Sequence, residues 1–116
     1  MLEQRRRHLR VPIEVELRCR EGSGKGQLVF GTRDLSAGGA FVKSDLLLEE
    51  GEPLSLGIAL PGEKVLKAEA KVAWVRRFPR LGQEAGMGIE FVSIANHDRR
   101  SIDAFLERQL EARGLM

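Results

Sequence analysis

The chain has 116 residues, 42% hydrophobic and 31% charged, a globular composition that suits one domain around one core and leaves no room for two. No apolar run exceeds a few residues, whereas a membrane span needs roughly 20 and a signal-peptide core about 7; a soluble, cytoplasmic protein is expected. The single cysteine, Cys19, excludes an internal disulfide, and His8 and His97 stand too far apart in sequence for metal-ligand spacing.

The formal net charge of +2 hides an uneven distribution. Residues 5–10, Arg-Arg-Arg-His-Leu-Arg, hold four of the 19 Lys and Arg, leaving 15 basic against 16 acidic residues from Val11 onward. An anionic partner is therefore drawn to a basic N-terminal arm, residues 1–10, and not to the whole surface. Nucleic acid, anionic lipid and a small phosphorylated ligand all have the required charge.

From Val11 the period is two: Val11, Ile13, Val15, Leu17 and Cys19 alternate with Glu14, Glu16, Arg18 and Arg20, which predicts one half-buried strand with Pro12 tolerated near its start. The segment Glu21-Gly-Ser-Gly-Lys-Gly26 turns the chain into a hairpin whose second strand runs over 27–32. Further strands are predicted over 39–42, over 54–60 and 66–74 with apolar side chains at even positions, and over 87–91 with Met87, Ile89 and Phe91 inward. Six short strands separated by turn chemistry such as Pro61-Gly62 and the 79–86 loop favour an antiparallel sandwich or small barrel spanning 11–92. After Asn96, a suitable N-cap, the period changes: Ile102, Phe105, Leu106 and Leu110 predict one amphipathic helix over 97–113, with Gly114 at its C-terminal stop. Its apolar stripe must cover either the open end of the barrel or a dimer partner.

Catalytic constellations are poor. Cys19 falls on the inward phase of its strand and reads as a buried, inert thiol. His97 reads as a surface residue, and Gly22, Gly24 and Gly26 lack the spacing and following helix of a phosphate loop. Two segments stand out instead: the arginine arm, and Asp34-Leu-Ser36-Ala-Gly-Gly39 between two predicted strands. Each alone is equally well explained as a disordered basic tail and as an ordinary tight turn.

Together they resemble the signatures of the PilZ domain family, bacterial receptors for the second messenger cyclic di-GMP. The R-x-x-x-R signature matches Arg6-Arg-His-Leu-Arg10, the one register with arginine at both ends, and [D/N]-x-S-x-x-G matches Asp34 to Gly39. The Val11-Pro12 strand start, Ala73-Trp74 and Gly86-Met-Gly-Ile-Glu-Phe91 are also family-like, so the resemblance covers nearly the whole chain. It implies a mainly β fold, a six-stranded antiparallel barrel with a C-terminal α-helix. It further implies that Arg5, Arg6, Arg10, Asp34, Ser36, Gly38 and Gly39 bind cyclic di-GMP, with Arg7, Trp74 and Gly88 as candidates for secondary contacts. An arginine before the motif, here Arg5, tends in the family to accompany two stacked ligands per chain. The implied activity is a non-enzymatic receptor that needs no metal or cofactor and signals to an unidentified downstream protein.

The chemistry of this ligand suits these residue types. Cyclic di-GMP has two phosphodiester charges and two guanines. A guanidinium can take guanine O6 and N7 together, pair with phosphate or stack on a base, which suits Arg6 and Arg10. A carboxylate at Asp34 can accept from guanine N1 and N2, a pairing adenine cannot offer, and Ser36 can add a neutral hydrogen bond. Gly39 is explained either by close ligand approach or by a positive φ. A PilZ-like protein-interaction scaffold without ligand is one alternative. A nucleic-acid-binding small barrel is another, consistent with a pI near 9.0. It is disfavoured because the chain has no tyrosine, one tryptophan and five phenylalanines, and strand parity directs the aromatic side chains mainly inward, Trp74 included.

Overall fold

The alternation from Val11 to Arg20 does produce extended backbone, but in two pieces. The computed structural model describes residues 9–21 and 26–114. Its strands are β1 Val11–Pro12, β2 Glu16–Glu21, β3 Leu28–Ser36, β4 Gly39–Lys43, β5 Pro53–Ala59, β6 Leu66–Arg76 and β7 Gly86–Ile94, followed by helix α1 Asn96–Ala112. Both β1 and β2 pair antiparallel with β3, Val11 opposite Leu35 and Glu16 opposite Gly31, so five steps along the first segment match four along β3. One residue in the segment between β1 and β2 is therefore extra, which breaks the single predicted strand. Thr32, 3% exposed, repairs the gap: its Oγ1 accepts from the Val15 N–H at 2.9 Å and donates to the Ile13 carbonyl at 2.6 Å.

The remaining pairings run β3–β2–β5–β6–β7–β4 and return from β4 to β3, all antiparallel. These six strands close into a barrel, with β1 prolonging the first, as the sequence predicts. Closure leaves no long unpaired edge. Inward residues keep the expected alternation through β2 and β5: Leu17 and Cys19, then Leu54, Leu56 and Ile58, are buried together with Val11, Val42, Val72 and Met87. Burial pushes the Cys19 thiol up to about 12, so at neutral pH it is protonated and unreactive. His97 is exposed, beside Asp98 at 3.1 Å.

The helix starts one residue before the predicted position. Its N-cap is Ala95, not Asn96, and no side chain caps it. The Ala95 carbonyl accepts the first bonds from Asp98 and Arg99 at 3.0 Å. At the other end Gly114 takes a φ of 76° and its N–H donates to the Glu111 carbonyl, the stop that a glycine permits. The chain's own core takes the apolar stripe: Ile102, Phe105 and Leu106 are buried with the strand residues. Arg99 Nη1 donates to the Ala37 carbonyl at 2.9 Å, which fixes the first helical turn to the turn between β3 and β4.

Replacing Thr32 by the isosteric Val removes the hydroxyl and leaves the Val15 N–H and Ile13 carbonyl without their partner. Loss of about 1–3 kcal/mol of unfolding free energy is expected, read from urea denaturation followed by circular dichroism.

Candidate functional site

Asp34 and Trp74 reach the outer wall of the barrel because two strands each contain one extra residue. Between Thr32 and Asp34 the pairing of β3 with β4 shifts, Thr32 opposite Val42 and Asp34 opposite Phe41, so Arg33 is the surplus residue. Phe30 and Thr32 face inward, and strict alternation would send Asp34 after them; after the shift Leu35 is buried and Asp34 partly exposed. The same happens in β6. Val72 pairs with Ile89 but Trp74 with Gly88, which makes Ala73 surplus and turns Trp74 out to 42% exposure. The inward orientation of Trp74 expected from its even position is thereby overturned.

These shifts align one row of residues across the wall: Pro12 of β1 faces Asp34 of β3, Asp34 faces Phe41 of β4, Phe41 faces Gly88 of β7, and Gly88 faces Trp74 of β6. The Trp74 indole lies on Gly88 and stacks on Phe41, ring centroids 5.3 Å apart and planes inclined by 13°. A Cβ at Gly88 would stand 2.1 Å from Trp74 Nε1, so the stack requires glycine there. The Arg76 guanidinium lies over both rings, 5.4 Å from the Phe41 centroid and 5.2 Å from that of Trp74, a cation–π arrangement. An outward aromatic platform therefore exists, contrary to the expectation that the aromatics point inward.

A cleft of about 600 Å³ opens over this row, bounded by Arg10, Asp34, Phe41, Trp74, Arg76 and Glu90. That volume suits a small molecule. At its rim Arg10 Nη1 donates to Asp34 Oδ1. Two cations and two carboxylates thus balance among the described lining residues.

Of the residues predicted for the site, Arg10, Asp34, Gly38, Gly39, Trp74 and Gly88 line this cleft together. Ser36 lies beneath it, 3% exposed. Its Oγ accepts from the Gly38 N–H at 3.1 Å and donates to the Gly39 carbonyl at 3.3 Å, so it builds the turn. Asp34 to Ser36 belong to β3 and Gly39 opens β4, leaving Ala37-Gly38 as the turn; the signature is mostly strand and not loop. Gly39 has neither a positive φ nor open space above it: a Cβ there would meet the Ile89 carbonyl oxygen at 2.2 Å. Close approach of β4 to β7 is what demands glycine. Arg5, Arg6 and Arg7 lie outside the described residues. Sequence reasoning missed Phe41, Arg76 and Glu90. Arg76 could have been found as the residue two beyond Trp74, on the same side of β6, whereas nothing local marks Phe41 as outward.

The sequence model of the PilZ domain matches residues 4–108. The chain belongs to the PilZ domain family. No curated protein sequence matches. Among solved structures, this PilZ domain is similar to the Bacillus subtilis inhibitor of motility (MotI/DgrA), at 27% identity and a TM-score of 0.76, over 95% of this chain and 54% of that one. It is also similar to the PilZ domain of CeSA from a cellulose-synthesizing bacterium, at 27% identity and a TM-score of 0.56, over 89% and 98%. The PilZ domain of YcgR from Escherichia coli, solved with c-di-GMP, shares the fold at 19% identity and a TM-score of 0.69, over 96% of each chain. The PilZ domain described here therefore spans about half the length of MotI. Among the described residues no group of three or more His, Cys, Asp or Glu could hold a metal ion, and no helix is long and apolar enough to cross a membrane.

Beside the cleft, Glu84 ties the segment before β7 to β3 and β4. Its carboxylate accepts from Arg33 Nε at 2.6 Å and stands 3.4 Å from Lys43 Nζ, while its carbonyl accepts from Arg76 Nη1 at 3.2 Å. Chiefly the Arg33 hydrogen bond, with Lys43 adding to it, holds the Glu84 carboxyl down at about 2, against 4.5 ordinarily. A lowered folded-state value means that the clamp contributes stability above pH 4.5 and loses it as pH falls from there toward 2. Unfolding free energy from urea denaturation should therefore fall across that window in the parent and fall less steeply in Glu84→Gln.

The glycines of the PilZ wall predict contrasting variants. At Gly88 a methyl meets the tip of an exposed side chain, which can swing away; Gly88→Ala should keep the fold but lose the Trp74–Phe41 stack, shifting the emission of the sole tryptophan. At Gly39 the obstacle is backbone. Gly39→Ala should lower unfolding free energy by about 1–3 kcal/mol, measured by denaturant titration.

Proposed function

We propose that the chain is a cyclic di-GMP receptor that changes its surface on binding and so signals to a downstream protein. PilZ domains are receptor and effector domains. The observation that carries this reading is the outward row Asp34–Phe41–Gly88–Trp74 with Arg10 paired to Asp34 at the end of one cleft: a guanine-edge acceptor, a stacking platform and a phosphate-binding cation within the span of one dinucleotide. YcgR, solved with c-di-GMP, and MotI, an inhibitor of motility, point the same way.

In this reading Asp34 accepts from guanine N1 and N2, the Trp74–Phe41 platform stacks a base, and Arg76 lies against phosphate or base from above. Arg10 must leave Asp34 first. Both partners are partly exposed, so the pair is worth at most about 1 kcal/mol and yields easily to two phosphodiester charges. Arg6, and Arg5 and Arg7 in support, join Arg10 at the ligand; a second stacked ligand is the role proposed for Arg5. Ser36 acts indirectly by holding the Ala37-Gly38 turn. The Arg99 bond to the Ala37 carbonyl gives any movement of that turn a route into helix α1. The chain works as one unit of arm, barrel and helix α1, in the cytoplasm, without chemical turnover or cofactor.

Isothermal titration should give micromolar or tighter binding. Arg6→Ala, Arg10→Ala and Asp34→Ala should each weaken it roughly ten- to hundredfold, Trp74→Ala roughly two- to tenfold, and Ser36→Ala less. Amide exchange should slow over residues 5–11, over 34–40 and around Arg99. Unchanged affinity in Arg10→Ala would sink the site assignment. Because the aromatic pair is exposed, single-stranded nucleic acid is the rival to separate: binding with a steep salt dependence and no preference for the guanine dinucleotide would favour it.

A further inference from the structure

The segment between β6 and β7 has a property that ligand binding in the cleft does not use. Phe78 and Leu81 are 89% and 104% exposed, the most exposed large apolar side chains among the described residues. Leu81 is held in this position. The Gln83 N–H donates to the Arg80 carbonyl at 2.9 Å, Gln83 Oε1 accepts from the Arg80 N–H at 2.9 Å, and Gly82 takes a φ of 83°. A turn closed in this way, with glycine at its third position, projects the residue before that glycine into solvent. From Ala70 to Gln83 the chain has Lys71, Arg76, Arg77 and Arg80 and no acidic residue. Among the described residues Arg80 has no carboxylate in ion-pair reach, and Arg77 has only Glu49 at 3.8 Å. The other nearby carboxylate, Glu84, is matched by Arg33 and Lys43.

We propose that this turn docks the protein on an anionic lipid surface, Phe78 and Leu81 entering the boundary between headgroups and acyl chains while Arg77 and Arg80 meet the headgroup phosphates. Two exposed apolar side chains three residues apart fall far short of the roughly 1,200 Å² that a stable protein interface buries. A bilayer needs no complementary shape. Apolar insertion flanked by cations is how a peripheral segment holds to anionic lipid, weakly and reversibly, and each arginine near such a surface is worth about a fivefold gain in partitioning.

The test is sedimentation of the full chain with large vesicles of phosphatidylcholine, alone or with about one third phosphatidylglycerol. Binding should favour the anionic vesicles and fall as salt rises from about 50 to about 500 mM. Phe78→Ser together with Leu81→Ser should abolish it, and Arg77→Gln or Arg80→Gln should each weaken it about fivefold. Cyclic di-GMP affinity should stay unchanged in the doubly substituted protein, which also shows that it is folded. With Cys19 buried, an environment-sensitive dye on Phe78→Cys should brighten and shift to the blue on anionic vesicles. Absence of binding at low salt overturns the proposal. So does binding that survives loss of both apolar side chains, which would assign it to the arginine arm. Concentration-dependent self-association in the ultracentrifuge, lost in the same variant, would instead assign the turn to a second copy of this chain and also overturn it.

Discussion

Side chains alternate strictly along a strand, and a closed barrel with a filled interior leaves no freedom to break that alternation locally. The extra residues Arg33 and Ala73 are the way out. Each lets its strand keep apolar residues inward before and after the shift, and each turns outward a side chain that simple parity would bury. Without the first, Asp34 would be an unpaired carboxylate in the core, a costly position. Without the second, Trp74 would crowd the interior and Phe41 would have no ring to stack on. The site exists because two strands are out of step with their neighbours at the same level of the wall.

That level is also where the backbones come closest. Gly39 and Gly86 leave no space for a side chain against the Ile89 and Val42 carbonyls, and Gly88 leaves none beneath the indole. Three glycines in two neighbouring strands let β4 and β7 approach closely and let the Trp74 ring settle onto the backbone, which makes the aromatic pair itself the floor. Flexibility is not their role here, since none of the three has a positive φ. Arg76, tethered through the Glu84 carbonyl, covers the floor from one end, and Arg10 on Asp34 marks the other.

Much of this was legible in the sequence. Period-two alternation gave the strands, the change of period gave the helix, and the two signatures identified Arg10 and the Asp34–Gly39 segment. What stayed hidden follows from the bulges. A single surplus residue leaves composition and hydrophobicity untouched but inverts every later side chain, so Trp74 reads as inward and Phe41 as unremarkable. Ser36 reads as a ligand contact, and nothing in one dimension shows that its hydroxyl holds the Ala37-Gly38 turn. Ala95 as N-cap could not be foreseen either: burial of Ile102, Phe105 and Leu106 fixes where the helix begins, and that packing outweighs the better cap one residue later.

The pairing of Arg10 with Asp34 bears on which molecules the cleft turns away. With its rim cation already paired to its own carboxylate, that end of the cleft offers a passing anion no uncompensated charge. A lone phosphate could replace Asp34 as the partner of Arg10 but would leave the carboxylate stranded. A base edge alone could satisfy Asp34 but would strand the guanidinium. Only a molecule that presents guanine and phosphodiester together rewards both halves of the broken pair. Under the proposed function, the ion pair acts as a coincidence filter against inorganic phosphate, free guanine and adenine nucleotides.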